Sequence, residues 1–256
     1  MPKDMMTTRP AMGVRRFGRV NWLGFRTLAT REVMRFMAVW QQTIFAPLMT
    51  AALFVLVFAL ALGRGRSEIM GLPYLEFLGP GILMMTVIQN AFANTSSSIT
   101  SAKVQGNIVD TLMPPLSAGE MLAGYLAGSV VRAGLVALVI GTGMVIVTGA
   151  GIAHPAWAAT FVLLAALLLG GLGILAGIMA QKFDQMAAIT NFVITPLSFL
   201  SGTFYSVERL PEVFYNISQF NPFFYAIDGF RYGFIDHADS NVMVGLAVLL
   251  TADVAL

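Results

Sequence analysis

Residues 157–179 read WAATFVLLAALLLGGLGILAGIM, without one ionisable side chain. At ~1.5 Å of rise per residue this stretch makes ~34 Å of helix, enough to cross a ~30 Å hydrocarbon core. The Gly170-Gly171-Leu172-Gly173 tract inside it does not break the reading. Glycine is frequent in membrane helices, where it lets neighbours approach closely. Working outward, five more stretches read as spans: 43–62, with Pro47 near its start, then 77–98, a segment within 119–147, 187–204, and 240–256. The fold class expected is an all-α integral membrane protein with six transmembrane helices.

Composition agrees. Of 256 residues 57% are hydrophobic and only 11% charged, whereas a soluble domain carries roughly 25% charged residues. Too little polar material exists to clothe a water-facing globule. The net charge is +2, yet eight basic residues lie in the first 35 positions: Lys3, Arg9, Arg15, Arg16, Arg19, Arg26, Arg31 and Arg35. This is a localised basic arm, with residues 1–20 as a tail, and not a nucleic-acid surface. No short apolar core with a cleavage site follows it, so no signal peptide is expected. Cysteine is absent and histidine is limited to His154 and His237, so neither a disulfide framework nor a metal site is expected.

Basic residues also orient the chain. With the N-terminus inside, the cytoplasmic segments hold those eight plus Lys103 and Lys182, and the outer segments hold Arg64, Arg66, Arg209 and Arg231. Ten against four places both termini in the cytoplasm. The fifteenth basic residue, Arg132, falls inside the third span. An intramembrane charge is a functional candidate, unless that span begins near Ser129 and the side chain snorkels to the headgroups. Glu76 and Glu120, at span ends, read as structural carboxylates.

Three segments outside the spans carry information. Trp22, Phe25, Ala29, Val33, Phe36 and Trp40 recur every three or four residues, with Gly24, Thr27, Arg31 and Arg35 opposite. This pattern predicts an amphipathic helix along the headgroups, its arginines near anionic lipid. Between spans two and three, Asn107 is placed to cap a short helix with Asp110 in its first turn, ended by Pro114-Pro115. The segment 203–239 is too apolar for a solvated loop and too interrupted by Pro211 and Pro222 for a span. Short helices dipping into the outer leaflet fit it, and its rings Phe204, Tyr205, Phe223, Phe224 and Tyr225 are candidates for an outer gate.

Catalytic and nucleotide motifs are missing: there is no G-x-x-x-x-G-K-[ST] loop, no H-E-x-x-H and no G-x-S-x-G. Pairs such as Gly124/Gly128 and Gly173/Gly177 predict close helix packing, not a dimer face.

The order of these parts resembles the membrane subunit of type-2 ABC exporters. Three stretches carry the resemblance: Tyr74 to Leu83 at the entry to span two, Gly106 to Tyr125 with Thr111-Leu112-Met113-Pro114-Pro115, and Pro196 to Tyr205 followed by Leu210-Pro211 and Asn221 to Arg231. It covers nearly the whole chain from about Trp22, giving one transmembrane domain over 21–256. The resemblance implies a permease rather than an enzyme, with no cofactor of its own. It implies ATP and Mg²⁺ on a separate ABC ATPase subunit, and two membrane subunits per transporter, as a homodimer or with a paralogue. An outward-moving amphiphilic, glycan-linked or drug-like substrate and an inner-membrane location follow as well. Gly106, Asn107, Asp110, Leu112 and Pro114 are then the residues that couple to the ATPase, and 203–239 is an outer re-entrant hairpin. One departure is that the family's last span ends in a basic tail, whereas residues 240–256 rise only ~25 Å, short of a ~30 Å core, which leaves open whether the sixth span is whole. The alternative function is a secondary transporter or channel, for which only Arg132 offers a midplane ionic site.

Overall fold

The computed structural model describes residues 18, 20–62, 68–69, 72–149, 151–207 and 210–256. Almost all of the basic tail, and Arg64, Arg66 and Arg209 of the orientation count, lie outside the described residues. The described chain is helical: α1 (Trp22–Met37), α2 (Ala46–Leu62), α3 (Tyr74–Val104), α4 (Ile108–Leu112), α5 (Ala118–Thr148), α6 (Pro155–Met179), α7 (Phe183–Ile189), α8 (Thr195–Leu200), α9 (Glu212–Gln219), α10 (Pro222–Ile235) and α11 (Val242–Ala255). A two-residue antiparallel ladder pairs Glu68 with Pro73 and Ile69 with Leu72 ahead of α3.

Four helical segments among the described residues are long and apolar enough to cross a membrane: Gln41–Phe58, Tyr74–Val104, Ala118–Thr148 and Pro155–Met179. They coincide with the first four spans expected from the sequence. The fifth segment is a helix in two pieces. A π-helical turn, Thr190–Ile194, joins α7 to α8 ahead of Pro196, and another, Gln41–Phe45, leads into α2 ahead of Pro47. Proline lacks the N–H for the carbonyl four residues back, and its ring crowds that carbonyl. A widened turn just before the ring relieves the crowding without ending the helix. The last segment, α11, is an apolar helix of 14 residues, shorter than those four segments.

Helix ends follow local chemistry. The Asn21 side chain accepts from the Gly24 N–H at the start of α1. Ser117 and Glu120 form a capping box on α5. Pro155 and Pro222 occupy first-turn positions of α6 and α10, where no N–H partner is lost.

α3 is the axis of the fold, with α5, α6 and α10 packed round it. Its approach to α6 is close because Gly173 and Gly177 present bare backbone. A Cβ on Gly173 would lie 2.3 Å from Thr95 Oγ1 and 2.5 Å from the Phe92 carbonyl oxygen. Thr95 Oγ1 donates to the Gly170 carbonyl, and Ser129 Oγ reaches the Ala91 and Ala166 carbonyls, so three helices are pinned at mid-length. The other glycine pair does different work. A Cβ at Gly124 would meet Leu28 and one at Gly128 would meet Glu32, both at 2.6 Å, so these glycines seat α1 on α5.

The stripe of α1 that meets protein is Leu28, Glu32 and Phe36, while Trp22 and Trp40 of the expected apolar face are exposed. Arg31 and Arg35, expected near anionic lipid, have protein partners in Thr111, Glu32 and Asn94 and stay partly exposed. The contacts Leu28–Gly124 and Glu32–Gly128 advance together along both helices, so α1 runs beside the first turns of α5.

Candidate functional site

At one end of α3 the chain reverses through Gly106, whose φ of +76° is the left-handed region that suits glycine. α4 follows. Asn107 occupies its N-cap position, but the side chain does not cap it. The amide donates to Gln105 Oε1 instead, which corrects the capping expected from sequence. Asp110 lies in the first turn and is exposed, as are Val109, Leu112, Met113 and Pro114, with Leu112 59% accessible. A short helix with an apolar outer face, ended by two prolines, therefore projects from the molecule.

Several bonds fix that projection from behind. Arg31 Nη1 donates to Thr111 Oγ1 at 2.9 Å, on the buried side of α4. Asn21 donates from its backbone to Glu120 Oε1 and from its side chain to the Pro115 carbonyl. Glu120 is structural, as its span-end position suggested. Behind α4 sits a carboxylate that the sequence reading missed. Glu32 is fully buried, receives Arg31 Nη2 at 3.1 Å and Arg35 Nε at 3.2 Å, and accepts from Ser98 Oγ at 2.8 Å. Arg35 continues to the Asn94 carbonyl at 2.7 Å. Through this one carboxylate and its arginines, α1 is tied to α3 and α4. Its signal in the sequence was its place: Glu32 lies four residues from both Leu28 and Phe36, on the apolar stripe.

Arg132, the intramembrane charge noted in the sequence, is buried among protein, and its hydrogen-bond partner is an asparagine. Nε and Nη2 both reach Asn90 Oδ1, at 3.2 and 2.8 Å.

The aromatic hairpin stands at the opposite end of α3. The gate candidates divide there. Phe223, Phe224 and Tyr225 lie on α10 and are buried in the core, whereas Phe204 stacks on Phe199 at 5.4 Å and meets Phe58 and Phe54 in tilted contacts at 5.4 and 5.9 Å. Tyr205 donates to the Leu200 carbonyl and Tyr74 to that of Phe204. The exposed apolar face belongs to α9, with Val213, Phe214, Ile217 and Phe220, the last 90% accessible. Arg231, counted from sequence among outer basic residues, is fully buried. It lies 3.9 Å over the Phe77 ring, donates to the Gly202 carbonyl at 2.6 Å and stands 3.9 Å from Asp228. Asp228 in turn accepts from Ser240 Oγ and from the Asp239 and Ser240 N–H groups. The hairpin is thus stapled to α3 and to the turn before α11. Lys103, counted as a cytoplasmic charge, caps α6 by donating to the Gly177, Ile178 and Ala180 carbonyls.

Long apolar helices round a glycine-packed axis, with a rigid exposed helix at one end and a stapled aromatic hairpin at the other, define an integral membrane protein of helical type. The chain belongs to the ABC-2 type transporter family, whose model matches residues 24–235, and is the membrane permease subunit of an ABC transporter. It is 34% identical over 234 residues to the inner membrane transport permease YadH of Escherichia coli (strain K12), covering 91% of each chain. It is 27% identical over 205 residues to nodulation protein J of Sinorhizobium fredii (strain NBRC 101917 / NGR234), covering 77% of this chain and 75% of that one. The nodulation protein J of Rhizobium leguminosarum bv. viciae is likewise 27% identical, over 203 residues.

Proposed function

We propose that two copies of this chain form the translocation path of an ATP-driven exporter, with ATP and Mg²⁺ on two separate ABC ATPase subunits. The carrying observation is α4. Its apolar outer face is presented to solvent while its inner side is bolted to α1, α3 and α5. A helix held this way passes a displacement to the spans instead of absorbing it. The chain has no nucleotide-binding loop of its own, so the push comes from a partner.

On this reading the chain crosses the inner membrane six times, α7–α8 serving as the fifth span and α11 as the sixth. The N-terminus and α4 face the cytoplasm. The segment 203–239 is a re-entrant outer hairpin, with Phe204 and Tyr205 at its entrance and the exposed face of α9 as the surface that parts to release an amphiphile. Phe223, Phe224 and Tyr225 support that gate from within the core.

The test replaces Asp110 by asparagine and Leu112 by alanine together, in the transporter purified with its ATPase. Both side chains are exposed, so insertion and folding are retained. ATP hydrolysis should persist while export in proteoliposomes falls at least tenfold. Undiminished export per ATP would reject the role of α4. Ion-coupled transport by the purified chain alone would reject the ATP-driven reading.

A further inference from the structure

Arg132 is short of partners. A guanidinium carries five N–H donors and a full charge. Here Nε and Nη2 share one neutral acceptor, Asn90 Oδ1. Nη1 has no acceptor among the described residues and is not one of the fully enclosed atoms, although Arg132 as a whole is only 8% accessible. Among the described residues no carboxylate pairs with Arg132. The nearest buried carboxylate along α1, Glu32, is committed to Arg31, Arg35 and Ser98. One turn from Asn90 on α3, Asn94 is fully buried; its Oδ1 accepts from Arg35, and its Nδ2 has no partner among the described residues.

The depth of this group follows from its neighbours. The first turns of α5, up to Gly128, lie beside α1 with its Arg26, Arg31, Glu32 and Arg35. After Arg132, α5 runs to Thr148 without another ionisable residue, ~24 Å of helix. Read backwards from Asn90, α3 runs a similar length to Phe77 without one. Arg132 therefore lies toward one end of the apolar length of α5, where its long side chain can reach toward the headgroups of one leaflet. An unpaired cation there is costly, and the bilayer offers the counter-ion.

We infer that Arg132, with Asn90 and Asn94 behind it, holds the phosphate of an anionic phospholipid from the leaflet on the α4 side. That leaflet is the cytoplasmic one in the orientation proposed above, but the site itself does not depend on the orientation or on coupling to ATP. Nη1, which has no acceptor among the described residues, donates to a phosphate oxygen, giving the guanidinium an anionic partner. A bound headgroup then ties α5 to α3 at the base of the spans.

The experiment is native mass spectrometry of the purified chain after exchange into detergent containing dioleoylphosphatidylglycerol or dioleoylphosphatidylcholine. The wild type should retain one phosphatidylglycerol about tenfold better than Arg132→Gln does, and Arg132→Lys should keep part of the preference. Arg26→Gln, an exposed control, should behave as wild type. Asn90→Asp serves where Arg132→Gln does not fold, because it supplies an internal counter-ion. It should lose the lipid, yet melt higher than wild type in lipid-free detergent. Equal retention by wild type and Arg132→Gln, or by wild type and Asn90→Asp, overturns the inference. Displacement of the lipid by an equal concentration of inorganic phosphate overturns it too, by marking a free-anion site.

Discussion

Replacing Glu32 by glutamine keeps the shape of a fully buried side chain and removes the charge that two guanidinium groups share. Stripping one partner from a buried ion pair costs about 3–5 kcal/mol when the other charge stays buried. Arg31 and Arg35 keep 46% and 32% of their side chains exposed, so both can turn partly to water, and exposed pairs are worth only about 0–1 kcal/mol. Glutamine also still accepts from Ser98 Oγ. The cost therefore lies between the two limits, at about 1–2 kcal/mol for Glu32→Gln. It rises to about 2–3 kcal/mol for Glu32→Ala, which also loses the Ser98 bond and leaves a gap over Gly128. For a chain of this length 1 kcal/mol shifts a melting midpoint by about 2–4 °C, so the glutamine variant should melt about 2–8 °C lower. The assay is fluorescence-detected melting in detergent at one scan rate, since unfolding of such proteins is often irreversible. Amide exchange in α4 should accelerate in parallel, because Arg31 holds Thr111 from the same cluster. Wild-type midpoints in both variants, or a fall no larger than that of exposed Arg26→Gln, would refute the tie between α1, α3 and α4.

Gly173→Ala should lower the folded yield sharply, as the added methyl meets the Phe92 carbonyl, which cannot move aside like a side chain. Gly134→Ala, whose methyl meets open space, should be neutral, and size-exclusion of solubilised membranes compares the two. On the hairpin, Phe224→Ala opens the core and should cost about 3–5 kcal/mol, read as lost protein. Phe220→Ala, on the exposed face of α9, should leave the amount of protein unchanged and alter export in vesicles. The opposite pattern would place the gate on α10.

The membrane class was legible in runs such as 157–179, because a bilayer demands length and apolarity and both are written locally. The short helix after Gly106 was legible for the same reason: Asp110 and the two prolines punctuate it within a few residues. Side-chain pairings were not. The pattern of α1 marked Arg31 and Arg35 as a lipid-facing stripe, yet their direction is set by Gly124, Gly128, Asn94 and Thr111, sixty to a hundred positions away. Arg231 misled in the same way. It reads as an outer-loop charge, but Phe77 and the Gly202 carbonyl receive it in the core. The density of aromatic rings in 203–239 singled out the segment without revealing which rings face inward. That depends on α10 packing against α3 and α6 while α9 is left outside.

The absence of cysteine from the chain makes one measurement decisive for the claim that α4 meets an ATPase. A single Leu112→Cys, in native membranes, is treated with a short thiol-to-amine cross-linker. The adduct is purified through the chain and sequenced by mass spectrometry. The account predicts one dominant adduct, to a subunit carrying a G-x-x-x-x-G-K-[ST] loop, and none from Phe220→Cys at the opposite end of the molecule. No adduct to such a subunit from Leu112→Cys, or an equal one from Phe220→Cys, would contradict it.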